Sequence, residues 1–427
     1  MAYQVRKNAQ GLINNFNKFN APPGALSVAD NVVINADDQI ERRSGYDKCS
    51  SGLPSGVPQK LMVHNGALYL NINNSIYYKD SNCNYSIVKG LSPLFFFPVG
   101  IWIDNNNENL YITDNSAIRR FNFTSNSITT FAGVAGVPGS ADGIGAAARF
   151  DLPNGIWGNA THLYVSDFGN NTIRKIEIAT ADVTTFAGTA GAPGSANGIG
   201  AAARFNAPEG IWGNTTHLYV SDSSNYTIRK IEIATADVTT FAGTAGAPGS
   251  ANGIGAAARF GYPYYIWGNT THLYVPDTAN STIRKIEIAT ADVTTFAGTA
   301  GAPGSANGIG AAARFNFPYG IWGNTTHLYV SDSDNNEIRK IEIATADVTT
   351  FAGNIAAGVA DGIGAAARFN GPVGIWGNTS EIYVLDTKNY TVRNIDISTA
   401  NVETFAGIPG VQGTYDGSVF SVINGPS

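Results

Sequence analysis

Residues 153–188 read PNGIWGNATHLYVSDFGNNTIRKIEIATADVTTFAG, and close copies of this stretch recur along the 427-residue chain. Every tryptophan falls at the same place in a copy, and successive tryptophans lie 55 residues apart, except for a last interval of 54. A fixed period of this kind is typical of repeat proteins in which each copy is one supersecondary unit. The six tryptophans are Trp102, Trp157, Trp212, Trp267, Trp322 and Trp376.

One copy predicts four short β-strands separated by turns. The first begins at Gly155, the second is His162–Val165, and the fourth is Val183–Phe186. Thr172–Ile178 largely alternates between apolar and polar residues, as a half-buried strand does. Helical periodicity appears only at 200–205, where we expect a single helical turn between copies. Four antiparallel strands in a copy of this length predict one blade of an all-β propeller.

The number of blades depends on residues 56–92, which hold four weaker strand-like runs. We expect these runs to form a divergent blade, giving seven four-stranded blades, with six blades as the alternative. Phe420–Pro426 partly echoes Phe369–Pro372 between the copies, so we expect the ring to close beside the early chain. The predicted domains are an N-terminal arm at 1–55 and a propeller at 56–427, with the six clear copies at 93–427.

The pattern PxGIW, LYVSD, NxTIRKI and VTTFAG over residues 93–427 resembles the NHL-repeat family of β-propellers. The resemblance implies that one Asp and one Arg per copy are structural and tie a turn to its strands. An aspartate that opens a turn also caps its own backbone, which is the same expectation reached from the residues alone. The first such pairs are Asp167 with Arg174 and Asp222 with Arg229.

The N-terminal residues do not follow the repeat. The stretch from Asn20 to Ile34, which reads NAPPGALSVADNVVI, and the following IERRSGY at 40–46 resemble the start of tail nozzle or tail-tube virion proteins of short-tailed bacteriophages. That resemblance implies an assembly arm, in which 28–34 adds a strand to a neighbour's sheet. The alternative is a strand that completes this chain's own last blade. The candidate arm residues are Pro22, Pro23, Asp30, Asn31, Arg42, Arg43 and Tyr46.

Charge and hydropathy narrow the function classes. A net charge of −6, with 14% charged residues, argues against sequence-specific or backbone-tracking nucleic-acid binding. The sequence contains no apolar run of about 18 residues, which is the length that would predict a membrane span. The first residues lack the apolar segment of a signal peptide, so we expect synthesis in the host cytoplasm. Cys49 and Cys83 are either two reduced thiols, which we favour, or one bridge.

No motif predicts catalysis, a metal or a cofactor. His162, His217, His272 and His327 occupy the same position in four different blades, which separates them around the ring, and no Cys-x-x-Cys pair accompanies them. Asn197–Gly200 lacks the Lys-Ser/Thr of a phosphate loop. The acidic residues are matched copies, whereas catalytic carboxylates normally need unlike environments. We therefore expect a protein that is not an enzyme.

Differences between the copies suggest where this protein binds. The segment Ile173–Phe205 recurs unchanged at Ile228–Phe260 and Ile283–Phe315, while substitutions concentrate before Ile-Trp and after the turn Asp. In an antiparallel blade, the entry to the first strand and the loop between the second and third strands lie at the same end. Both windows therefore fall on one face of the propeller. Aromatic residues there predict a binding face, although drift in tolerant loops after duplication is the alternative. The candidates are Phe168, Tyr226, Tyr262, Tyr264, Tyr265, Phe317, Tyr319 and Tyr390.

These observations lead to one main functional expectation. The chain is expected to be a virion structural protein of a phage tail, at the nozzle or the tail tip. It would form a homo-oligomeric ring and contact other tail proteins. The alternative is an adhesion propeller whose aromatic loops bind a host surface glycan or protein.

Overall fold

The computed structural model describes residues 95–104, 106–413 and 416–418, together with six strands earlier in the chain. Contacts divide the chain into two units, Met1–Ser92 and Pro93–Ser427. For the earlier strands and for Gly417–Ser418 only the backbone is described. The predictions for Pro22, Pro23, Asp30, Asn31, Arg43, Tyr46, Cys49, Cys83 and Phe420–Pro426 lie outside the described residues.

The unit Pro93–Ser427 is a β-propeller of six blades, each with four consecutive antiparallel strands that run outward from the axis. The all-β propeller predicted from the repeat is confirmed, and the seven-blade count is wrong. Blade 1 has strands Pro98–Ile103, Asn109–Asp114, Ala117–Asn122 and Ser127–Gly133; blade 2 has Pro153–Gly158, His162–Asp167, Thr172–Glu177 and Asp182–Gly188; blade 3 has Pro208–Gly213, His217–Asp222, Thr227–Glu232 and Asp237–Gly243. Blade 4 has Trp267–Gly268, His272–Asp277, Thr282–Glu287 and Asp292–Gly298; blade 5 has Pro318–Gly323, His327–Asp332, Glu337–Glu342 and Asp347–Gly353; blade 6 has Pro372–Gly377, Glu381–Asp386, Thr391–Asp396 and Asn401–Ala406.

Each blade also has a fifth, two-residue strand that the sequence did not predict. It comes from the segment between blades and pairs with the outermost strand of the blade that follows, as Gly143 does opposite Val183. Gly143 has a φ of +145°, a conformation that L side chains rarely adopt. The five short strands within the repeats are Gly143–Ile144, Gly198–Ile199, Gly253–Ile254, Gly308–Ile309 and Gly362–Ile363.

Short helical turns accompany the strands at two places. The predicted turn between copies is present as a three-residue turn, and it is followed by Ala203 and Phe205, which are both fully buried. These turns are Gly145–Ala147, Gly200–Ala202, Gly255–Ala257, Gly310–Ala312 and Gly364–Ala366. A second set joins the second and third strands of blades 3 to 6: Ser223–Asn225, Thr278–Asn280, Ser333–Asn335 and Thr387–Asn389.

The unit Met1–Ser92 contains the four strand-like runs that we expected to be a blade. They do form a four-stranded antiparallel sheet, but this sheet is not one of the six blades of the ring. Val32–Ile34 pairs with Ile40–Arg42 in a separate two-stranded sheet, so this strand has a partner close by in the chain. The four strands are Pro58–His64, Ala67–Ile72, Ser75–Lys79 and Tyr85–Ile87.

The core lies between the blades, because both faces of the second and third strands are covered. Leu163, Val165 and Ile173 of blade 2 are fully buried, as are their copies. Tyr164 packs between Trp157 and Phe186, with ring centroids 6.1 and 5.3 Å apart. The repeated Trp, Tyr and Phe therefore form one aromatic layer in each of blades 1 to 5, and in blade 6 the Tyr383–Phe405 pair remains.

A fully buried arginine joins each blade to the segment that carries its fifth strand. Arg174 Nη1 donates to Asp167 Oδ2 at 2.9 Å and to the Arg149 carbonyl at 2.7 Å, while Nη2 donates to Asp142 Oδ1 at 2.7 Å. The guanidinium also lies 5.1 Å from the Phe150 ring centroid. The six ion pairs are Asp114–Arg119, Asp167–Arg174, Asp222–Arg229, Asp277–Arg284, Asp332–Arg339 and Asp386–Arg393.

Residues 416–418 complete blade 1 in the way that residues 142–144 complete blade 2. Gly417 pairs with Ile128 of the outermost strand, and Asp416 Oδ1 accepts a hydrogen bond from Arg119 Nη2 at 2.8 Å. The innermost strands of blades 6 and 1 also touch, since a Cβ on Gly374 would lie 2.2 Å from the Val99 carbonyl oxygen. The ring therefore closes within this unit.

The closure contact at Asp416 can be tested with a matched pair of variants. Asp416→Ala is expected to lower the local stability of Ser127–Gly133 by about 1 kcal/mol. The substitution removes the half-exposed Asp416 carboxylate, which accepts two hydrogen bonds from blade 1. Hydrogen exchange of those amides is the measurement. Asp142→Ala removes the same contacts in blade 2 and should leave these amides unchanged. Equal protection in Asp416→Ala and the unmutated chain would contradict this account of closure.

Candidate functional site

Glycine in the first strand lets neighbouring blades meet at the axis. A Cβ on Gly155 would lie 2.3 Å from the Glu209 carbonyl oxygen, and one on Gly320 would lie 2.1 Å from that of Val373. Blade 4 alone has another residue at this position, Tyr265. Its first strand is accordingly reduced to Trp267–Gly268 and a single bridge from Pro263 to Asp277.

Tyr265 points into the ring and spans it. Its hydroxyl lies 2.8 Å from the Val99 carbonyl oxygen of blade 1 and 3.0 Å from Asn154 Oδ1 of blade 2, and these two acceptors share its single proton. Blades 1 and 4 are opposite one another in a ring of six, so this side chain crosses the axis. We expected Tyr265 to be an exposed loop residue, and that placement is wrong, since the residue is only 7% exposed.

The buried residues Asn154, Glu209 and Tyr265 form a polar group with the half-buried Tyr319, and we call these four residues the axial plug. Asn154 Nδ2 donates to Glu209 Oε2, and the Tyr319 ring lies 5.8 Å from that of Tyr265. Burial raises the pKa of Glu209 to about 8, with the Asn154 hydrogen bond acting in the opposite direction. The plug therefore holds an uncharged carboxyl group at neutral pH.

Sequence reasoning missed Asn154 and Glu209, although both lie in the variable window before Ile-Trp. The signal was present in the alignment of the copies, because Pro-Asn-Gly155 and Pro-Glu-Gly210 place polar residues where blades 1 and 6 have valine. A polar residue on a strand whose neighbours are buried needs a hydrogen-bond partner. Here each residue supplies the partner of the other.

Beside the plug, aromatic side chains from blades 3, 4 and 5 form a connected surface. Tyr226 contacts Tyr262 at 5.3 Å, Tyr262 contacts Tyr264 at 6.3 Å, and Tyr264 contacts Phe317 at 6.4 Å between ring centroids. We call these four residues the aromatic face. Tyr264 also stacks on Tyr319 at 4.2 Å, which joins the aromatic face to the plug.

The structure thus brings together six of the eight predicted binding residues. Tyr262 and Phe317 are exposed, at 38% and 42%, while Tyr265 and Tyr319 lie beneath them. Phe168 and Tyr390 are half-buried, and within the described part of the chain neither has a ring contact with this group. The surface is therefore confined to one side of the ring.

Several of these aromatic residues occupy a backbone conformation that other residues adopt more easily. Tyr226, Tyr262 and Phe317 have φ values of 60°, 80° and 57°. Such left-handed geometry costs an L-residue about 1–2 kcal/mol. In blade 6 the residue equivalent to Phe317 is Gly371, and glycine adopts a left-handed backbone without this cost. Leu152, with a φ of 50° and 49% exposure, holds the same position in blade 2, and our search for aromatic residues missed it.

At the opposite end of the axis, the six tryptophans surround a cavity of about 590 Å³. Its wall also includes turns between the first and second strands, among them Asn159, Asn214, Asn324 and Asn378. None of the plug residues lines it. The plug residues lie at or just before the start of the first strands, whereas the tryptophans and the turns that line the cavity lie at the ends of these strands. The plug and the cavity are therefore at opposite ends of the axis, and we call the cavity the tryptophan mouth.

The repeated histidines lie near this end and are held by their own turns. Thr161 Oγ1 lies 2.8 Å from His162 Nδ1, and the same pair recurs in blades 3, 4 and 5. Burial lowers the pKa of His162, which disfavours the charged form of the ring. Among the described residues, no group of three His, Cys, Asp or Glu side chains could hold a metal ion.

Comparison with known proteins supports the resemblance read from the repeats. The chain is 26% identical over 364 residues to NHL repeat-containing protein 2 of Bos taurus, a match that covers 76% of this chain and 50% of that protein. It is 28% identical over 328 residues to the protein SUPPRESSOR OF QUENCHING 1, chloroplastic, of Arabidopsis thaliana, covering 72% and 31%. The chain thus spans about half or less of these relatives. No family model matches it.

Solved structures show the same fold. An auxiliary nutrient binding protein from Bacteroides thetaiotaomicron VPI-5482 superimposes with a TM-score of 0.54 at 15% identity, covering 87% of this chain and 90% of that one. At this identity the likeness extends to the fold and not to the site. Within the described residues, no helix has the length and apolar character needed to cross a membrane.

Proposed function

We propose that this chain is a non-catalytic binding propeller that holds a protein partner against the aromatic face. The observation that carries the proposal is the conformation of Tyr226, Tyr262 and Phe317, which combine a left-handed backbone with bulky side chains. Tyr262 and Phe317 are 38% and 42% exposed, so packing offsets this strain only in part. Strain of this kind is concentrated at functional sites in proteins.

The chemistry of the face favours a protein over other partners. Tyrosine and phenylalanine offer large contact areas with few rotatable bonds, and they are enriched among residues that dominate protein binding energies. The tyrosine hydroxyls add hydrogen-bonding groups to an otherwise apolar surface. The ring contacts hold the four side chains in fixed positions, which lowers the entropy lost on binding.

A second candidate places the propeller in the tail of a bacteriophage, as a nozzle or tail-tip protein. The resemblance of residues 20–46 to tail proteins supports it. In that setting the partner would be another tail protein or a host surface molecule. Mass spectrometry of purified phage particles from the source of this chain is the test, and the absence of the chain from every such particle would exclude this candidate.

The aromatic face can be tested by giving each residue the identity found in another blade. The triple variant Tyr226→Asn, Tyr262→Gly and Phe317→Gly should be as stable as the unmutated chain or more stable by up to about 1 kcal/mol per site, because it relieves left-handed strain. Urea unfolding gives the stability. Crosslinking in the native source should show a protein retained by the unmutated chain and lost from the variant.

Exposed isoleucines at the outer edge provide the control for this test. Ile199, Ile254 and Ile309 are 63–64% exposed on the short fifth strands, away from the aromatic face. Changing all three to serine should leave the same crosslinked protein in place. Marked destabilisation of the aromatic triple variant would show that these residues serve packing, and capture of a glycan instead of a protein would favour the adhesion alternative.

A further inference from the structure

We propose that the tryptophan mouth is a second binding site, on the face opposite the aromatic face, and that it binds a neutral saccharide. The cavity of about 590 Å³ lies within the range of about 300–1,000 Å³ typical of small-molecule sites. The inference does not depend on the aromatic face, which lies at the other end of the axis.

The rim carries a set of fixed hydrogen-bond donors. Asn378 Oδ1 accepts hydrogen bonds from the backbone N–H groups of Ser380 and Glu381, both at 2.9 Å, which fixes the side-chain amide in its turn. The Nδ2 group of Asn378 has no partner among the described residues, so it offers two donors. Asn159, Asn214 and Asn324 repeat this arrangement around the cavity.

One tryptophan departs from the ring and offers a stacking surface. In five junctions the indole edge lies over a glycine of the next blade; a Cβ on Gly377 would lie 2.9 Å from the Trp322 ring. Blade 1 has Ile103 at this position, so Trp376 of blade 6 meets a larger residue. Trp376 is half-buried, whereas Trp322 is 5% exposed.

The charge of the wall determines the ligand class. Asp104 is the only acidic residue among those that line the cavity, and no lysine or arginine lines it. The oxygens of Asp104 already accept hydrogen bonds from Glu108 N and Asn109 Nδ2. Nothing here neutralises an anion, and no set of carboxylates attracts a cation. Amide donors beside an indole suit a sugar ring, which has hydroxyl acceptors at its edge and C–H groups on its face.

Tryptophan fluorescence reports on this site directly, because all six tryptophans of the chain belong to it. Titration with cellopentaose, maltopentaose or penta-N-acetylchitopentaose is expected to give a saturable change in emission with at least one of these sugars. No saturable change with any of the three would overturn the proposal. A saturable change with inorganic phosphate alone would also overturn it, since the site would then be selective for an anion.

Two variants locate the binding. Asn378→Asp keeps the turn-capping oxygen and removes the free donors, so affinity should fall about tenfold, as expected for one well-placed hydrogen bond. Asn269→Asp makes the same change in blade 4, where the asparagine caps its turn in the same way but does not line the cavity, and affinity should not change. Equal losses in both variants would overturn the proposal.

Ile103→Gly tests the stacking surface without altering a residue that carries a donor. It gives blade 1 the glycine of the other five blades, so Trp376 should become as buried as its copies. We expect slower acrylamide quenching of the emission and sugar binding weakened about tenfold. Unchanged affinity with Trp376 buried would exclude stacking on it. The crosslinked partner of the aromatic face should be retained in all three variants.

Discussion

Replacing Asp277 with alanine is expected to lower the free energy of unfolding of the propeller by about 3–5 kcal/mol. Asp277 is fully buried and accepts hydrogen bonds from Arg284 Nη1 at 2.9 Å, Asn280 Nδ2 at 2.8 Å and the Gly261 N–H at 2.6 Å. Alanine leaves the buried guanidinium of Arg284 without its counter-charge. Urea denaturation monitored by tryptophan fluorescence measures the loss.

The origin of this loss is tested by a second substitution. In the double variant Asp277→Ala with Arg284→Met the unpaired charge is gone, and much of the lost stability should return. Asp292→Ala, a half-exposed position at the start of the same blade's fourth strand, should change stability by no more than about 0.5 kcal/mol. If the double variant is as unstable as Asp277→Ala, the hydrogen bonds of Arg284 to the preceding segment matter more than the ion pair.

Glu209→Gln is expected to remove a pH dependence of stability that the unmutated chain shows between about pH 4.5 and pH 8. Burial raises the pKa of Glu209 from 4.5 to about 8, so in this interval the folded state holds a proton that the unfolded state has lost. The Glu209 contribution to stability is therefore fully present below pH 4.5 and falls as the pH rises. Its slope is at most about 1.4 kcal/mol per pH unit, and it levels off above pH 8.

Other groups do not obscure this comparison. Burial also raises the pKa of Tyr264 to about 12 and that of Tyr265 and Tyr319 well above 10, so the tyrosines beside Glu209 stay protonated throughout. The buried aspartates of the ion pairs, such as Asp167 with a pKa raised to about 6, titrate equally in both proteins. Unfolding midpoints at four pH values suffice. Glu403→Gln, an exposed residue, is the control, and parallel curves for Glu209→Gln and the unmutated chain would disprove the assignment.

The repeat made the blade predictable, because apolar and polar residues alternate along its strands and each turn contains an Asp or an Asn. The blade count was not predictable in the same way. Residues 58–87 form a sheet with the strand pattern of a blade, yet whether a sheet joins a ring depends on the angles between neighbouring blades, which no local pattern encodes. The fifth strands, at two residues each, are too short to show periodicity.

The binding candidates show the same division. Comparison of the copies found two variable windows, and the structure joins Tyr226, Tyr262, Tyr264 and Phe317 from these windows in one connected group. The comparison of the copies did not show that the Tyr265 side chain points toward the axis, because that direction follows from the contact between neighbouring first strands. The loss of glycine in this copy alone was the available signal. The tryptophan mouth escaped notice because its residues are nearly constant between copies.

The axial plug has a consequence for the inheritance of this protein. Identical segments such as Ile173–Phe205 and Ile228–Phe260 invite unequal recombination, which deletes or duplicates a whole copy while leaving every remaining blade intact. Only a ring of six places Tyr265 opposite Val99, so a gene with one copy more or fewer would encode a ring in which this hydroxyl loses the Val99 carbonyl as an acceptor. The plug thus makes selection sensitive to the number of copies, because a change in that number would leave each blade intact and would disrupt only the plug.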